Sequence, residues 1–512
     1  MFSPFIVAEL QLASLSLFFV MKFNRLTILL LLGAGVRFIA AVWSKGFLTL
    51  DDHFNLVVDA DMLSRGIALP PSYKDSILYP GIVSFIMSAV RLLEIISPDI
   101  EMVIIRFVHA GISLFVIYFV YKILDALMDE ETATIGGLLM SVFYIVPIFS
   151  VHQFEEVVCQ VPLLAGIWFV MKQNIAEKKK KIELILAGVF FGIALIIRFP
   201  LLSFIAPFLI FLCWKKETRK YCLYVIAGFL FVLLLQSISN IFINGMFGYS
   251  LLHNYGILFT SSKELLTQTD GYPAGPWYRY IVTLFGIFLP PFSILFFIAA
   301  FFGGKKYSAL GISTLVFIVA HSLIANKQER FLLPILPVLF LLAAIGFEKI
   351  KIRCEETMWR WRSYKILWLC FIIINMFLLS ISLVHYGKKD RVEPLVYLST
   401  KKDAHNIVVA QYSYNFFVPD YYLGTKHPSI IIWKDFRNIH LDMQKINSIV
   451  PPPNYLVLYS DIPETDRKFL EIILHKQLIF ETTIQPSIGD YLAHLFNPKF
   501  NKSNAAYVYL MK

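Results

Sequence analysis

The chain has 512 residues, of which 57% are hydrophobic, 16% aromatic and only 16% charged. Soluble domains lie nearer 45–50% apolar and about 25% charged, so a mean hydropathy of +0.67 excludes a soluble globular enzyme and points to an α-helical polytopic membrane protein. The net charge of +10 sits mainly in short loops between apolar runs, where it sets topology and implies no nucleic-acid partner.

Residues Met1 to Val20 are apolar but contain Glu9 and Gln11. Without a basic leading region or a small-residue cleavage site they do not read as a signal peptide. They form either an interfacial helix or an extension ahead of a natural start at Met21. The stretch from Leu26 to Trp43 is long and apolar enough to cross a bilayer, and Lys22 and Arg25 favour a cytoplasmic start. Thr49-Leu50-Asp51-Asp52-His53-Phe54-Asn55 therefore emerges in a first external loop, residues 45–103.

Basic clusters at Lys172 to Lys181, Lys215 to Lys220, Lys305-Lys306 and Lys349 to Lys365 read as cytoplasmic. Apolar runs between them fall at about 104–125, 133–151, 157–171, 183–199, 201–214, 221–243, 280–302, 307–325, 331–348 and 366–385. The run at about 78–97 would break the parity between two cytoplasmic ends, and it carries Arg91 and Glu94. It reads as a juxtamembrane helix. The expectation is about eleven transmembrane helices over residues 1–387, then an external α/β domain over 388–512. In that tail, Ile407 to Ala410, Ile430 to Trp433 and Tyr455 to Leu458 read as strands, and Pro463 to His475 as an amphipathic helix capped by Asp461. The cysteines, Cys159, Cys213, Cys222, Cys354 and Cys370, fall in spans or cytoplasmic loops and outline neither a disulfide framework nor a metal site.

Polar residues collect on the external side. Asp51 and Asp52 read either as caps of a following helix or as a general base with a hydrogen-bonding neighbour. Glu155 and Glu156, after His152, read as a helix start or as acceptor-positioning acids. Arg198, near the external end of its span, either snorkels or meets a lipid phosphate; Arg106 and His109 allow the same two readings. Asn326-Lys327-Gln328-Glu329-Arg330 puts two cations in a short external loop, against the usual bias. An ammonium and a guanidinium suit phosphate. Trp277 and Tyr278, in an aromatic-rich loop end, read as interfacial anchors or as a wall for sugar or lipid.

Together these motifs resemble family 22 glycosyltransferases, the mannosyltransferases of N-glycan and glycosylphosphatidylinositol assembly. Asp51-Asp52-His53-Phe54-Asn55 is similar to their P-D-E-x-F-Q element. Asn326 to Phe331 with Pro334 is similar to their H-K-E-x-R-F-x-x-P element. Gly275 to Tyr280 resembles their G-T-x-P-W-x-W-Y region. Asn326 departs from the motif histidine, Gln328 from its glutamate and Asp52 from its second acid. The resemblance implies a GT-C fold and an inverting transfer of a sugar, mannose favoured, from a polyprenyl-phosphate donor to a lipid-linked glycan, glycolipid or protein. Asp51 would be the base, with Asp52 beside it. Lys327, Arg330 and Arg198 would hold the donor phosphate. Glu155, Glu156, His53, Trp277 and Tyr278 would position substrate. No metal ligand set is indicated, although a divalent ion is compatible with the chemistry. The sugar donor, the acceptor and membrane lipids are the expected partners, with no oligomeric state implied. A bacterial inner membrane is favoured over the endoplasmic reticulum, with the site and tail periplasmic or luminal. The rival readings are an O-antigen ligase or polymerase and a transporter or flippase of lipid-linked glycans.

Overall fold

The computed structural model describes residues 24–512 apart from 95–96, 176–179, 217, 261–273, 412–415, 425–428, 435, 437–445, 447 and 499–500. The expectations for Met1 to Val20, for Lys178-Lys179 and for Gly271 to Pro273 lie outside the described residues. The chain divides into two compact units. One comprises Met1–Ala40, Pro70–Leu78 and Val108–Leu383; the other comprises Ala41–Leu69, Tyr79–Phe107 and Val384–Lys512. The sequence expectation placed the first loop with the spanning helices. Most of it instead belongs to the unit that contains the tail, and so does nearly all of the helix Leu78–Leu92.

The first unit is helical. Each of the eleven expected spans is helix, but they differ in reach. Five helices are long and apolar enough to cross a membrane, or up to seven if each of two bent pairs counts as one span. Gln160–Ile175, Lys181–Ile197, Leu202–Trp214 and Ser308–Leu323 have 16, 17, 13 and 16 residues. A straight crossing of the hydrocarbon core takes about 20. The bends have readable causes. Pro290-Pro291 ends Arg279–Ile287 before Phe292–Lys306 starts, and the two helices meet at 110°. Between Glu130–Val142 and Ile145–Val151 the backbone turns by 61°. There the Asn375 amide takes over for the lost helix bonds, accepting from Tyr144 N at 2.9 Å and donating to Val142 O at 2.8 Å. Apolar surroundings make such compensation necessary.

The packing is close. A Cβ on Gly188 would lie 1.9 Å from Val225 O, and one on Gly228 would lie 2.1 Å from Ile185 O. The helices Lys181–Ile197 and Arg219–Asn244 thus meet backbone to backbone, as small residues permit in membranes. Glu329–Glu355, the helix Leu336–Glu355 with the turn before it, is the central segment, with 89% of its most apolar window buried, against 17% for the peripheral Met358–Ser382. Near the basic loop Lys215 to Lys220, Cys213 and Cys222 form a disulfide, with Cα atoms 5.6 Å apart. This corrects the cysteine expectation. The turn between two helices brings the pair together, a contact that their spacing of nine residues does not announce.

The second unit is built on a five-stranded sheet of order β2-β1-β3-β5-β4. Its strands are β1 (Asn406–Gln411), β2 (Ser429–Lys434), β3 (Tyr455–Tyr459), β4 (Leu478–Ile484) and β5 (Ala506–Met511). β1 runs parallel to β2 and β3, while β5 is antiparallel to β3 and β4. Strands buried on both faces read as unbroken apolar runs, as β1 and β3 do. The edge strand β2 was legible from its Ile430 to Trp433 run although only Ile431 and Trp433 in that run are buried, and the more alternating β4 was not. Trp433, Leu456, Leu470 and Tyr509 share the core under the helix Pro463–Leu474. That helix starts from Ile462 with Pro463 in its first turn, not from Asp461. Ser460 accepts from Ile462 N at 2.9 Å and donates to Asp466, while Asp461 accepts from the Asn504 amide at 3.1 Å. In this unit Gly46 also pairs with Gly387. Its φ of +72° and a Cβ position 1.9 Å from Gly387 O leave room for no side chain.

Candidate active site

The expected site residues divide between the units. Asp51, Asp52 and His53 lie in the sheet-bearing unit; Glu155, Glu156, Arg198, Trp277, Tyr278, Lys327 and Arg330 lie in the helical one.

The first loop enters a π-helical turn, Asp52–Val57, that continues into the helix Val58–Ser64. Such turns recur at functional sites because the extra residue displaces a side chain from helical register. The two acids differ. Asp52 is 6% exposed. It accepts from Thr49 N at 2.9 Å, Thr49 Oγ1 at 2.8 Å and Leu48 N at 3.3 Å. Its carboxylate fixes the loop. Asp51 stands at the start of the turn with helical dihedrals, makes no side-chain cap bond and is half-buried. His53 is fully buried. Its ring stacks on Phe47 at 4.8 Å and on Tyr422 at 5.3 Å. Neither ring nitrogen has a hydrogen-bond partner among the described residues, and burial pushes the imidazole down to about 3. This placement replaces the acceptor-contact expectation for His53 with an anchoring one.

Nearby groups of the same unit, Tyr421, Glu101 and Lys388, were missed in the sequence, whereas Arg106, which reads there as snorkelling or meeting a lipid phosphate, is buried against backbone. Tyr421 donates to Glu101 at 2.8 Å; Arg91 meets Glu101 at 3.0 Å and Asp61 at 2.5 Å. Arg106 donates to Ala41 O at 2.9 Å, which ties down one end of this buried guanidinium. Burial lowers the Lys388 ammonium, reinforced by Arg391, against the fields of Asp490, Asp390 and Asp52. No sequence motif marks Lys388; a tail residue reaches the field of Asp52 only in the folded chain.

In the helical unit, Arg198 ends the helix Lys181–Ile197 in extended conformation. Its guanidinium meets Glu155 at 3.4 Å and Glu156 at 3.1 Å. Arg330 meets Glu156 at 3.7 Å and donates to Gln328 Oε1 at 2.9 Å. Phe331 lies under both guanidinium groups, at 5.1 and 5.5 Å. The sequence reading's separate acids and cations are thus one cluster. Gln328, a departure from the motif, acts as a neutral acceptor that orients Arg330. Glu156 is buried between the two guanidinium groups, whereas Glu155 is 28% exposed at the rim. Burial raises the Glu155 carboxyl, with Arg198 pulling the other way. Protonation of Glu155 would leave the cluster with a net positive charge, suited to an entering phosphate.

Lys327 has a different place. Its ammonium donates to the carbonyls of His321 at 3.2 Å, Ser322 at 2.9 Å and Ile324, and it lies over the Tyr280 ring. It is buried, and burial lowers its ammonium. Three donors engaged by three carbonyls make it the cap of the helix Ser308–Leu323, not the open phosphate contact expected. His321, also missed, donates from Nδ1 to Phe317 O, 2.8 Å away, and stacks on the Phe317 ring. Trp277 and Tyr278 are 66% and 49% exposed and meet edge to face at 5.8 Å. Arg279 beside them pairs with Glu329 at 2.8 Å. Among the described residues no group of three or more His, Cys, Asp or Glu side chains is placed to hold a metal ion.

Comparison with known proteins gives this chemistry a context. The sequence model of the Alg9-like mannosyltransferase family matches residues 27–412. No curated protein sequence matches the chain. Among solved structures, ArnT from Cupriavidus metallidurans bound to undecaprenyl phosphate is similar over 94% of this chain and 97% of its own, at 12% identity and a TM-score of 0.55. The oligosaccharyltransferase AglB from Archaeoglobus fulgidus, in complex with an inhibitory peptide and a dolichol-phosphate, is similar over 86% of this chain and 69% of its own, at 12% identity and a TM-score of 0.54. At such identities the likeness is one of fold, and that fold is GT-C.

Proposed function

The chain belongs to the Alg9-like mannosyltransferase family, and we propose from that premise that this membrane glycosyltransferase takes its sugar, mannose favoured, from a polyprenyl-phosphate donor. The acceptor is a hydroxyl or amide of a lipid-linked glycan, glycolipid or protein on the external face. Asp51 takes the acceptor proton as the acceptor atom bonds to the anomeric carbon. The bond from that carbon to the phosphate oxygen breaks with inversion, and polyprenyl phosphate leaves. Arg198 and Arg330 hold the leaving phosphate and stabilise its growing charge. Glu156 sets their spacing, and Glu155 yields Arg198 to the incoming anion. Trp277 and Tyr278 offer aromatic faces to the sugar or the lipid. The neighbours' bound lipids are consistent with this donor class, since ArnT was solved with undecaprenyl phosphate and AglB with a dolichol-phosphate.

The observation that carries the assignment of the base is the difference between the two aspartates. Asp52 is buried and its carboxylate is held by the backbone of residues 48 and 49, while Asp51, half-buried at the start of the turn, stands at the place of the first acid of the family's first-loop element. The test is transfer of labelled sugar by purified, full-length protein in liposomes, with polyprenyl-phosphate mannose or a nucleotide sugar as donor. Label should move only from the lipid. Asp51→Asn should lower kcat by at least about 10²-fold, the scale of general-base catalysis, with donor KM nearly unchanged. Efficient use of the nucleotide sugar would overturn the donor class, and wild-type turnover in Asp51→Asn would remove Asp51 as base.

A further inference from the structure

At the end of the helical unit that carries the basic loops lies a cavity of about 600 Å³ for which the transfer reaction has no use. Its volume lies within the range of ligand pockets. Leu184, Leu212, Cys222 and Val225, all buried, make its floor. Lys215 and Lys306 stand on its lining, both exposed, with Thr218 and Tyr307 beside them. The polar neighbours are already engaged: Thr218 donates to Leu212 O at 2.5 Å and Tyr307 to Leu127 O at 2.8 Å. Lys215 lies over the Phe211 ring, and Lys306 over the Tyr307 ring and beside the Met128 sulfur. Neither has a carboxylate partner among the described residues.

We propose that this cavity binds an anionic glycerophospholipid, its phosphate between Lys215 and Lys306 and an acyl chain on the apolar floor. A small inorganic anion would satisfy the lysines but leave the floor unfilled. A zwitterionic lipid would fill the floor but bring its own cation to the rim. An anionic amphiphile with phosphate at one end matches both parts. Basic pockets between spanning helices recognise anionic headgroups where the leaflet is negatively charged, and the clusters at Lys215 to Lys220 and Lys305-Lys306 favour that side for this end. The lipid would fasten the helix ends that the short helices Gln160–Ile175 and Leu202–Trp214 bring to the cavity.

Native mass spectrometry of the delipidated, full-length protein re-supplied with phosphatidylglycerol or phosphatidylcholine tests this, with inorganic phosphate as competitor. Phosphatidylglycerol should be retained in preference. Lys215→Gln and Lys306→Gln should each weaken retention about tenfold, as for loss of a charge-assisted contact. Ala309→Trp, which fills the chamber, should reduce phosphatidylglycerol to the phosphatidylcholine level. The lysines are exposed, so their glutamine variants keep the packed structure. Equal retention of the two lipids by the wild type, or undiminished phosphatidylglycerol retention in the double lysine variant, would overturn the proposal. Release of the lipid by millimolar phosphate would reassign the site to a free anion and also overturn it.

Discussion

At the scale of single residues, burial separates groups that look alike in the sequence. Asp51 and Asp52 are adjacent and chemically identical, yet Asp52 is buried and tied to three donors of its own loop, while Asp51 is half-buried. Asp52→Asn should therefore act through stability, costing roughly 1–3 kcal/mol in thermal melts. Arg198 and Arg330 are read as a phosphate fork. Replacing either by lysine keeps the charge but loses the planar geometry, so donor KM should rise about tenfold with a smaller change in kcat. A change in kcat alone would assign the pair to acceptor geometry. His53 gives a pH signature. Folded, it stays neutral down to about 3; unfolded, it titrates near 6.5. The folded state binds fewer protons in that window, so its stability is intact above about 6.5 and is lost as pH falls towards about 3, at up to about 1.4 kcal/mol per unit. His53→Phe should flatten the fall of Tm between about pH 6.5 and 4.5. An unchanged slope would mean that other groups carry it.

At the scale of elements, one buried arginine ties together segments that a hydropathy profile treats as independent. Arg37, in the helix Arg25–Trp43, donates to Ser113 at 2.7 Å, to the carbonyls of Met140 and Ser141 at 3.1 and 3.3 Å, and to Ser150 at 3.4 Å. It satisfies carbonyls close to the Val142–Ile145 bend, where helical bonds are missing. Sequence reasoning passed over it, because one arginine in an apolar run looks like an anomaly until its partners are known. Arg37→Lys cannot reach all four acceptors with a compact ammonium. It should cost roughly 1–3 kcal/mol, seen as a lower Tm of the purified protein in detergent. A wild-type Tm would show that the guanidinium bonds do not hold the bend. Bends account for two of the expected spans beyond the five helices of crossing length, and the short helices Gln160–Ile175, Lys181–Ile197, Leu202–Trp214 and Ser308–Leu323 account for the other four. Hydropathy marks apolar runs; it does not show where Pro290-Pro291 folds one back.

For the whole molecule, the basic loops and the external motifs make a single topological prediction. In a background with native cysteines replaced, Tyr278→Cys and Val450→Cys should react with an impermeant maleimide added to intact cells. Lys216→Cys should react only after permeabilisation. All three side chains are exposed in the fold. Labelling of Tyr278→Cys and Lys216→Cys from the same side would remove the topology on which an external active site rests. The Cys213–Cys222 disulfide gives this experiment weight, because a disulfide is uncommon in a reducing compartment, whereas the basic loop between its cysteines argues for that compartment.

Composition and motif order were enough to determine an α-helical membrane enzyme, its GT-C family, three strands of the tail and the residues worth watching. Those properties follow from local chemistry: apolar runs long enough for lipid, unbroken β-branched runs, and acids and cations at the ends of spans. Tertiary structure decided what each polar group does. It joined Glu155, Glu156, Arg198 and Arg330 into one cluster, turned Lys327 into a helix cap, enclosed His53 in a ring stack and brought Lys388 into the field of Asp52. The acid–guanidinium cluster, the Tyr422 face of the His53 stack and the Lys388 field depend on partners about 40 to more than 300 residues away, and the Lys327 cap on nearby carbonyls that the helix end leaves open; desolvation and donors already in use decide each, and local sequence carries neither quantity.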